Sequence, residues 1–384
     1  MKSLYWFKRV SKEWLALISS SGPGSVKDLR DKRSFSLPLM WSWVDERKDF
    51  IGFSSLVAVN MAGEKLENNL KLDGCTYKDT SFYRRRITCC HGLLCFSPSR
   101  DDKILVWNPC TRELLKVPVS PNYNDDCIIG FGYVSSHINQ YKIVSLQKKI
   151  IFDYTGGGGY GLVSLMICHD IYTLRDMGDH DQISGESGRG GWKSTTGGDH
   201  LYHPNLELGS ENVCVEGVIY WLDFYRDNIL AFDLRKEESK IMAIPGDGTT
   251  TNLMELKGSL CLAQVTGPGE VITWTLLTGE DHEEQWVPGF TIRHRSISES
   301  ISFQLLSYVQ SQSQSQNNYN IIDGAQKQEA AYLAFRSGNK IFFYNIDTGT
   351  TSRSSTILRN FETEKNLSDP CAAYVDTPFR LLGN

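Results

Sequence analysis

Histidine and carboxylate side chains of the type that bind metal ions occur close together at one place in this 384-residue sequence. His200 and His203 form an H-x-x-H pair, Asp199 precedes it and His180 lies upstream. A zinc protease site needs two such histidines on one face of a helix, with a Glu as general base. Here the pair lies in a polar stretch rich in Gly, Ser and Asp, and that Glu is missing. The pattern therefore predicts no metal site.

A glycine-rich stretch at residues 156–161 formally satisfies the G-x-G-x-x-G pattern of dinucleotide-binding loops. That chemistry requires a helix whose N-terminus receives the pyrophosphate. The following residues, 162–167, are instead rich in β-forming side chains and contain no helix cap. We therefore interpret the stretch as a hairpin loop and predict no nucleotide cofactor.

Other catalytic signatures are equally weak in this sequence. It contains no G-x-S-x-G elbow, P-loop or C-x-x-C pair. Acidic pairs such as Asp101-Asp102 lie in turn-like segments, where exposed carboxylates are the default. The sequence favours a protein that is not an enzyme and that carries no cofactor.

The overall charge and the cysteine pattern indicate which class of partner and which cell compartment to expect. The formal net charge is −5, and the densest basic stretch, residues 84–86, is short, so no nucleic-acid partner is predicted. There is no apolar run of membrane-spanning length and no signal peptide, which predicts a protein of the cytoplasm, the nucleus or both, without a membrane partner. Six of the ten cysteines lie in or beside strand-like patterns, where reduced core residues are expected. These are Cys89, Cys90, Cys95, Cys110, Cys214 and Cys261.

The elements that position all these residues follow a repeated pattern, clearest at residues 87–118. A glycine (Gly92) leads a short apolar strand, a polar turn follows, a second strand ends in Trp107-Asn108-Pro109, and a third strand closes at Pro118. The pattern returns from Gly217 and from Gly258, and a fragment without the leading glycine follows at residues 332–345. Gly92 to Trp107 and Gly217 to Phe232 both span 15 residues.

A repeat of about 40 to 50 residues built only from strands is typical of a β-propeller. A lone hairpin cannot bury its apolar face, so each sheet needs neighbours on both sides. We therefore predict an all-β fold, a β-propeller of about six to seven four-stranded antiparallel blades, with a short N-terminal α-helical segment. The polar stretches at residues 175–199 and 311–318 are predicted to be loops.

The helical segment is indicated by apolar side chains that recur every three or four residues over residues 1–20. These side chains are Leu4, Phe7, Val10, Trp14, Leu17 and Ile18. Gly22, Pro23 and Gly24 end the pattern. Such a stripe packs either on its own domain or on a partner.

Residues 2–18 resemble the second half of a plant F-box, and the rest of the chain resembles the kelch-like F-box-associated domain, type one. The resemblance rests on the ordered motifs HGLLC (residues 91–95), WNP (107–109), GFGY (130–133), YKIV (141–144), GVIYWL (217–222) and FDL (232–234). The motif residues expected to support the fold are Gly92, Trp107, Asn108, Pro109, Gly130, Gly132, Gly217, Trp221, Phe232 and Asp233. The boundaries implied are an F-box half at 1–20, a linker at 21–32 and a propeller domain at 33–382.

The resemblance implies a substrate-recognition adaptor of a cullin-type ubiquitin ligase. Its N-terminal helices would bind a Skp-type adaptor through Leu4, Phe7, Val10, Trp14 and Leu17, and its propeller would bind a target protein. The usual first helix of the F-box does not precede residue 1, so a truncated F-box is expected. Two alternatives stay open: a kelch-like propeller with a small-molecule or glycan site at its centre, and a relic that has lost ligase binding.

Overall fold

The structure is a computed structural model in which two dozen strands are described. It describes residues 37–45, 50–59, 65–70, 76–77, 87–97, 103–108, 113–124, 126–135, 140–152, 163–175, 191–202, 208–223, 225, 227–278, 283–295, 297, 303–310, 331–337, 340–346 and 350–354. Within these ranges the chain forms only strands and their connecting turns, and none of them contains a helix that would cross a membrane. The predicted N-terminal helix lies outside the described residues.

The strands group into six sheets of four strands each within the described ranges. The first sheet contains β1 (Leu37–Asp45), β2 (Phe50–Val59), β3 (Lys65–Leu70) and β4 (Thr76–Tyr77). The second contains β5 (Ile87–Cys90), β6 (Leu93–Phe96), β7 (Lys103–Asn108) and β8 (Glu113–Pro118). The third contains β9 (Ile128–Val134), β10 (Gln140–Phe152), β11 (Val163–Arg175) and β12 (Trp192–Tyr202). The fourth contains β13 (Leu208–Val215), β14 (Val218–Asp223), β15 (Asn228–Asp233) and β16 (Glu238–Ala243). The fifth contains β17 (Thr249–Leu256), β18 (Ser259–Gly267), β19 (Glu270–Thr278) and β20 (Glu284–Arg293). The sixth contains β21 (Phe303–Gln310), β22 (Ala331–Ser337), β23 (Lys340–Asn345) and β24 (Thr350–Ser354).

Each sheet from the second to the sixth is an antiparallel meander in which the strands pair in chain order. In the first sheet both β3 and β4 pair with β2, and β4 does not pair with β3. This architecture confirms the all-β prediction of four-stranded antiparallel sheets, and it places the third and fourth sheets next to each other in the chain.

The burial of each strand explains the apolar runs that define the repeat. In the middle strands β6, β7, β14 and β15 nearly every residue is buried, so both faces of these strands are covered. For β14 and β15 the cover comes from the third and fifth sheets. The fourth strands β8 and β16 are mostly half-buried or exposed. A continuous apolar run therefore marks a middle strand, and a mixed pattern marks the outer one.

Side chains of one sheet hydrogen-bond to the backbone of the preceding sheet at several boundaries. Trp192 Nε1 donates to the carbonyl oxygen of Pro118 at 2.8 Å, and Trp286 Nε1 donates to that of Ala243 at 3.1 Å. The Tyr344 hydroxyl donates to the carbonyl of Thr291 at 3.2 Å. These bonds connect the third sheet to the second, the fifth to the fourth and the sixth to the fifth.

The apolar core lies between sheets and not within any one of them. One cluster joins the second, third and fourth sheets, a second joins the fourth and fifth, and a third joins the fifth and sixth. Consecutive sheets from the second to the sixth therefore pack face to face.

One detail of the predicted pattern is wrong. The stretch expected to be a loop as far as residue 199 forms strand β12 from Trp192 onward, because its backbone pairs with β11 in spite of its mostly polar side chains. Strand β10 is continuous over Gln140–Phe152 and pairs with β11 along its whole length. The glycine-rich stretch at 156–161 and residues 311–318 lie outside the described residues.

Candidate functional site

The described motif residues of the third and fourth sheets meet at one interface, here called the central seam and defined by Gly130, Gly132, Trp221 and Phe232. A Cβ atom built on Gly130 would lie 2.1 Å from Cζ2 of Trp221. Trp221 is fully buried. Gly130 is therefore required by the close approach of an indole ring from the next sheet.

Gly132, the second glycine of the seam, also lies too close to the fourth sheet for a side chain, although the nearest contact is longer than at Gly130. A Cβ on Gly132 would lie 2.6 Å from Cδ1 of Leu234 and 2.9 Å from both Cys214 Sγ and Ile219 Cγ1. The two glycines lie on one face of β9, since alternate residues of a strand point the same way. They form a flat strip against which the fourth sheet packs.

A buried histidine lies deeper in the seam. The ring of His169, on β11, stacks on Phe232 with centroids 4.5 Å apart, and neither of its ring nitrogens has a hydrogen-bond partner among the described residues. Burial lowers the pKa of His169 to about 4, although the nearby Asp170 opposes this change. The imidazole is consequently neutral at physiological pH.

A charged group closes one edge of the seam. The Lys142 ammonium donates to the carbonyl oxygen of Leu234 at 2.6 Å and to the Glu237 carboxylate at 3.1 Å. Lys193 donates to the other carboxylate oxygen of Glu237 at 2.6 Å. Burial alone would raise the pKa of Glu237, but the hydrogen bonds from Lys193 and Lys142 outweigh it and lower the pKa. Lys142 and Glu237 thus connect the two sheets electrostatically.

The leading glycines of the repeat lie in two-residue hairpin turns. Gly92, Gly217 and Gly258 have φ values of 84°, 85° and 80°, and the residues before them also have positive φ. The flanking strands pair directly on each side, for example Cys90 with Leu93. Two consecutive positive φ values are characteristic of the type I′ turn, which suits the twist of antiparallel strands.

The remaining motif residues serve turns and core. The Asp233 carboxylate accepts hydrogen bonds from the backbone N–H of Arg235 at 2.7 Å and of Lys236 at 3.0 Å, which shapes the turn between β15 and β16. Trp107 and Asn108 are buried in the second sheet. Pro109 and the F-box residues Leu4, Phe7, Val10, Trp14 and Leu17 lie outside the described residues.

Side chains capable of chemistry gather at one further place, where β5, β9 and β13 meet. The His91 ring packs on Tyr133 with centroids 4.6 Å apart, and the Tyr141 hydroxyl donates to the His91 carbonyl oxygen at 2.8 Å. Cys90 and Cys214 are buried in the same cluster. The described residues contain no group of three or more His, Cys, Asp or Glu that could hold a metal ion. His200 lies on β12, whereas its predicted pair His203 is not described.

Sequence reasoning did not single out Lys142, His169 and Glu237. Lys142 is part of the YKIV motif, and a lysine inside an apolar strand is a signal for a buried ion pair. His169 and Glu237 have no local signal, since their partners lie in other sheets.

The described residues form six antiparallel four-stranded sheets that follow one another along the chain, with cores between successive sheets from the second to the sixth. This is the architecture of a β-propeller. The chain belongs to the F-box associated beta propeller domain family, whose pattern it matches over residues 44–365. This confirms the family resemblance inferred from the motifs.

Among related proteins, an F-box/LRR-repeat protein of Arabidopsis thaliana is 29% identical over 224 residues, which are 54% of this chain and 47% of that protein. Another F-box/LRR-repeat protein of the same plant is 24% identical over 253 residues, covering 64% of this chain and 52% of that protein. The chain thus spans about half the length of these curated relatives. Among solved structures, the Cps50 (Swd1) β-propeller domain of Myceliophteria thermophila overlaps 83% of this chain and 86% of its own, at 10% identity and a TM-score of 0.34.

Proposed function

We propose that this protein is a non-enzymatic substrate-recognition adaptor of a cullin-type ubiquitin ligase. In this role residues 1–20 bind a Skp-type adaptor through Leu4, Phe7, Val10, Trp14 and Leu17, and the propeller binds a target protein. The proposed place of action is the cytoplasm, the nucleus or both.

The observation that carries the proposal is the membership of residues 44–365 in a propeller family associated with F-boxes, together with similarity to F-box proteins. The geometry supports a scaffold role for the motif residues. Gly130, Trp221 and Phe232 are buried at the central seam, and Gly217 shapes a turn. Target recognition is consequently assigned to exposed residues of the connections between strands.

The test is co-expression of the full chain with a Skp-type adaptor, followed by affinity capture. We expect the wild-type chain to retain the adaptor and the Phe7→Asp, Trp14→Asp double variant to lose it, because both side chains belong to the apolar stripe. Lys12→Asp, between the stripe residues, is the matched control and should still bind. If no complex forms even when a complete upstream F-box helix is fused to residue 1, the ligase role is wrong.

A further inference from the structure

The cysteines at the meeting point of β5, β9 and β13 are placed for chemistry that neither the fold nor the proposed function requires. Cys90 is the last residue of β5, and Cys214 is the last but one of β13. Both are free thiols, 4% and 6% exposed, and belong to one packed cluster although they come from the second and fourth sheets.

Tyr133 of β9 holds this cluster together from the sheet between them. Its backbone N–H donates to Cys214 Sγ at 3.4 Å, and the Cys214 thiol in turn lies 3.8 Å from its carbonyl oxygen. Its ring packs on His91, the residue that follows Cys90. The first strands of three consecutive sheets therefore bring the two cysteines into one packed cluster.

The two thiols differ in acidity because they share a hydrogen bond. Donation from Cys90 to Cys214 lowers the pKa of Cys214, and N–H groups of Tyr133 and Gly217 lower it further against the effect of burial. The same hydrogen bond, with burial, raises the pKa of Cys90. Because the backbone N–H of Tyr133 also stabilises a thiolate at Cys214, we assign the role of nucleophile to Cys214 and that of resolving thiol to Cys90.

We propose that Cys90 and Cys214 form an oxidisable dithiol site that reacts with hydrogen peroxide to give a disulfide between the second and fourth sheets. The Cys214 thiolate attacks one peroxide oxygen, the O–O bond breaks, and the departing hydroxide takes a proton to become water. The Cys90 sulfur then attacks the sulfenic sulfur of Cys214. The S–O bond breaks, and the oxygen leaves as a second water with the Cys90 proton. Two thiols lose two electrons in total and one peroxide is reduced to two waters.

The other described cysteines provide matched controls. Cys89 and Cys95 share the tryptic peptide 87–100 with Cys90, whereas Cys214 is the only cysteine in peptide 194–226. Cys261 is fully buried in the fifth sheet, and Cys127 is half-exposed. Burial of the Cys261 thiol raises its pKa to about 12, which predicts an inert control.

The test treats the purified full chain with hydrogen peroxide, alkylates the remaining thiols, and identifies tryptic peptides without reduction. We expect peptides 87–100 and 194–226 to be linked, and dithiothreitol to separate them. The Cys90→Ser and Cys214→Ser variants should abolish the link, whereas Cys89→Ser, Cys95→Ser and Cys261→Ser should keep it. Circular dichroism verifies folding, and an alanine variant at the same position replaces any serine variant that does not fold.

Either of two results would overturn the proposal. The first is recovery of both peptides with alkylated thiols under conditions that oxidise Cys127. The second is a link that survives Cys90→Ser and disappears with Cys89→Ser. Urea unfolding gives a further measurement. The midpoint should rise in the oxidised protein because the bond closes a long loop around the third sheet. A fall in that midpoint would contradict the native fit of the bond.

Discussion

The buried imidazole of His169 shows how one residue can make stability depend on pH. Because burial holds the folded-state pKa at about 4, below the ordinary 6.5, the unfolded chain binds the proton more readily. The stability associated with the neutral ring is complete above pH 6.5 and is lost as the pH falls towards 4. His169 is stacked and has no described hydrogen-bond partner, so it contributes mainly as an apolar ring.

The substitution His169→Phe should remove this pH dependence. We expect the variant to gain about 2 kcal/mol in free energy of unfolding relative to wild type when the pH is lowered from 7.5 to 5, since Phe cannot take a proton. Urea unfolding at the two pH values measures this change. An equal difference between the two proteins at both pH values would show that His169 is accessible to protons in the folded state.

Gly130 is the most restrictive glycine of the central seam. In the Gly130→Ala variant the new methyl group would overlap the buried ring of Trp221, and we expect a loss of about 3 kcal/mol in unfolding free energy. The matched control is Gly267→Ala, since a Cβ there meets nothing within 4 Å. Thermal unfolding compares the two variants. Equal melting temperatures would mean that the indole ring does not occupy the position described.

The two-residue turns between strands suit the twist of the sheet, but they hold a non-glycine residue at positive φ. Glu216 has a φ of 49°, a region that costs most side chains energy but suits Asn. We expect Glu216→Asn to increase the unfolding free energy by about 0.5 kcal/mol. Glu216→Gln removes the same charge without relieving the backbone, so it should leave stability unchanged. A comparable gain with Gln would assign the effect to charge.

The ion pair at the seam edge connects elements of two sheets. Lys142→Met removes the donor to both the Leu234 carbonyl oxygen and Glu237, and we expect a loss of about 2 kcal/mol in unfolding free energy. Lys193→Met removes the outer lysine, whose side chain is 69% exposed, and should cost no more than about 0.5 kcal/mol. Urea unfolding of both variants checks the order. If Lys193→Met is the more damaging, the exposed pair is the one that joins the sheets.

At the scale of the whole molecule, the sequence predicted the elements far better than their contacts. The apolar runs of β6 and β7 predicted a buried hairpin correctly, because both faces of a middle strand are covered. The polar strand β12 escaped prediction because its pairing with the backbone of β11 leaves no pattern in its own side chains. The residues around Gly130 do not indicate that it contacts Trp221, although the sequence analysis identified both as motif residues.

The contacts of the candidate sites were likewise harder to predict from the sequence than the strands. The seam could be assembled only from coordinates, because Lys142, His169 and Glu237 obtain their roles from residues in other parts of the chain. The boundaries predicted for the F-box half and the propeller domain remain predictions, and so do the adaptor-binding residues.

In the proposed function the N-terminal segment binds the adaptor and the propeller is the scaffold. Calorimetric titration of a purified Skp-type adaptor into three proteins, the wild type and two variants, separates these two roles. The Phe7→Asp, Trp14→Asp variant should lose binding at an unchanged melting temperature. The Gly130→Ala variant should melt at a lower temperature and bind, below that temperature, with the Kd of the wild type. Loss of adaptor binding in the Gly130→Ala variant, with binding retained in the Phe7→Asp, Trp14→Asp variant, would contradict these roles.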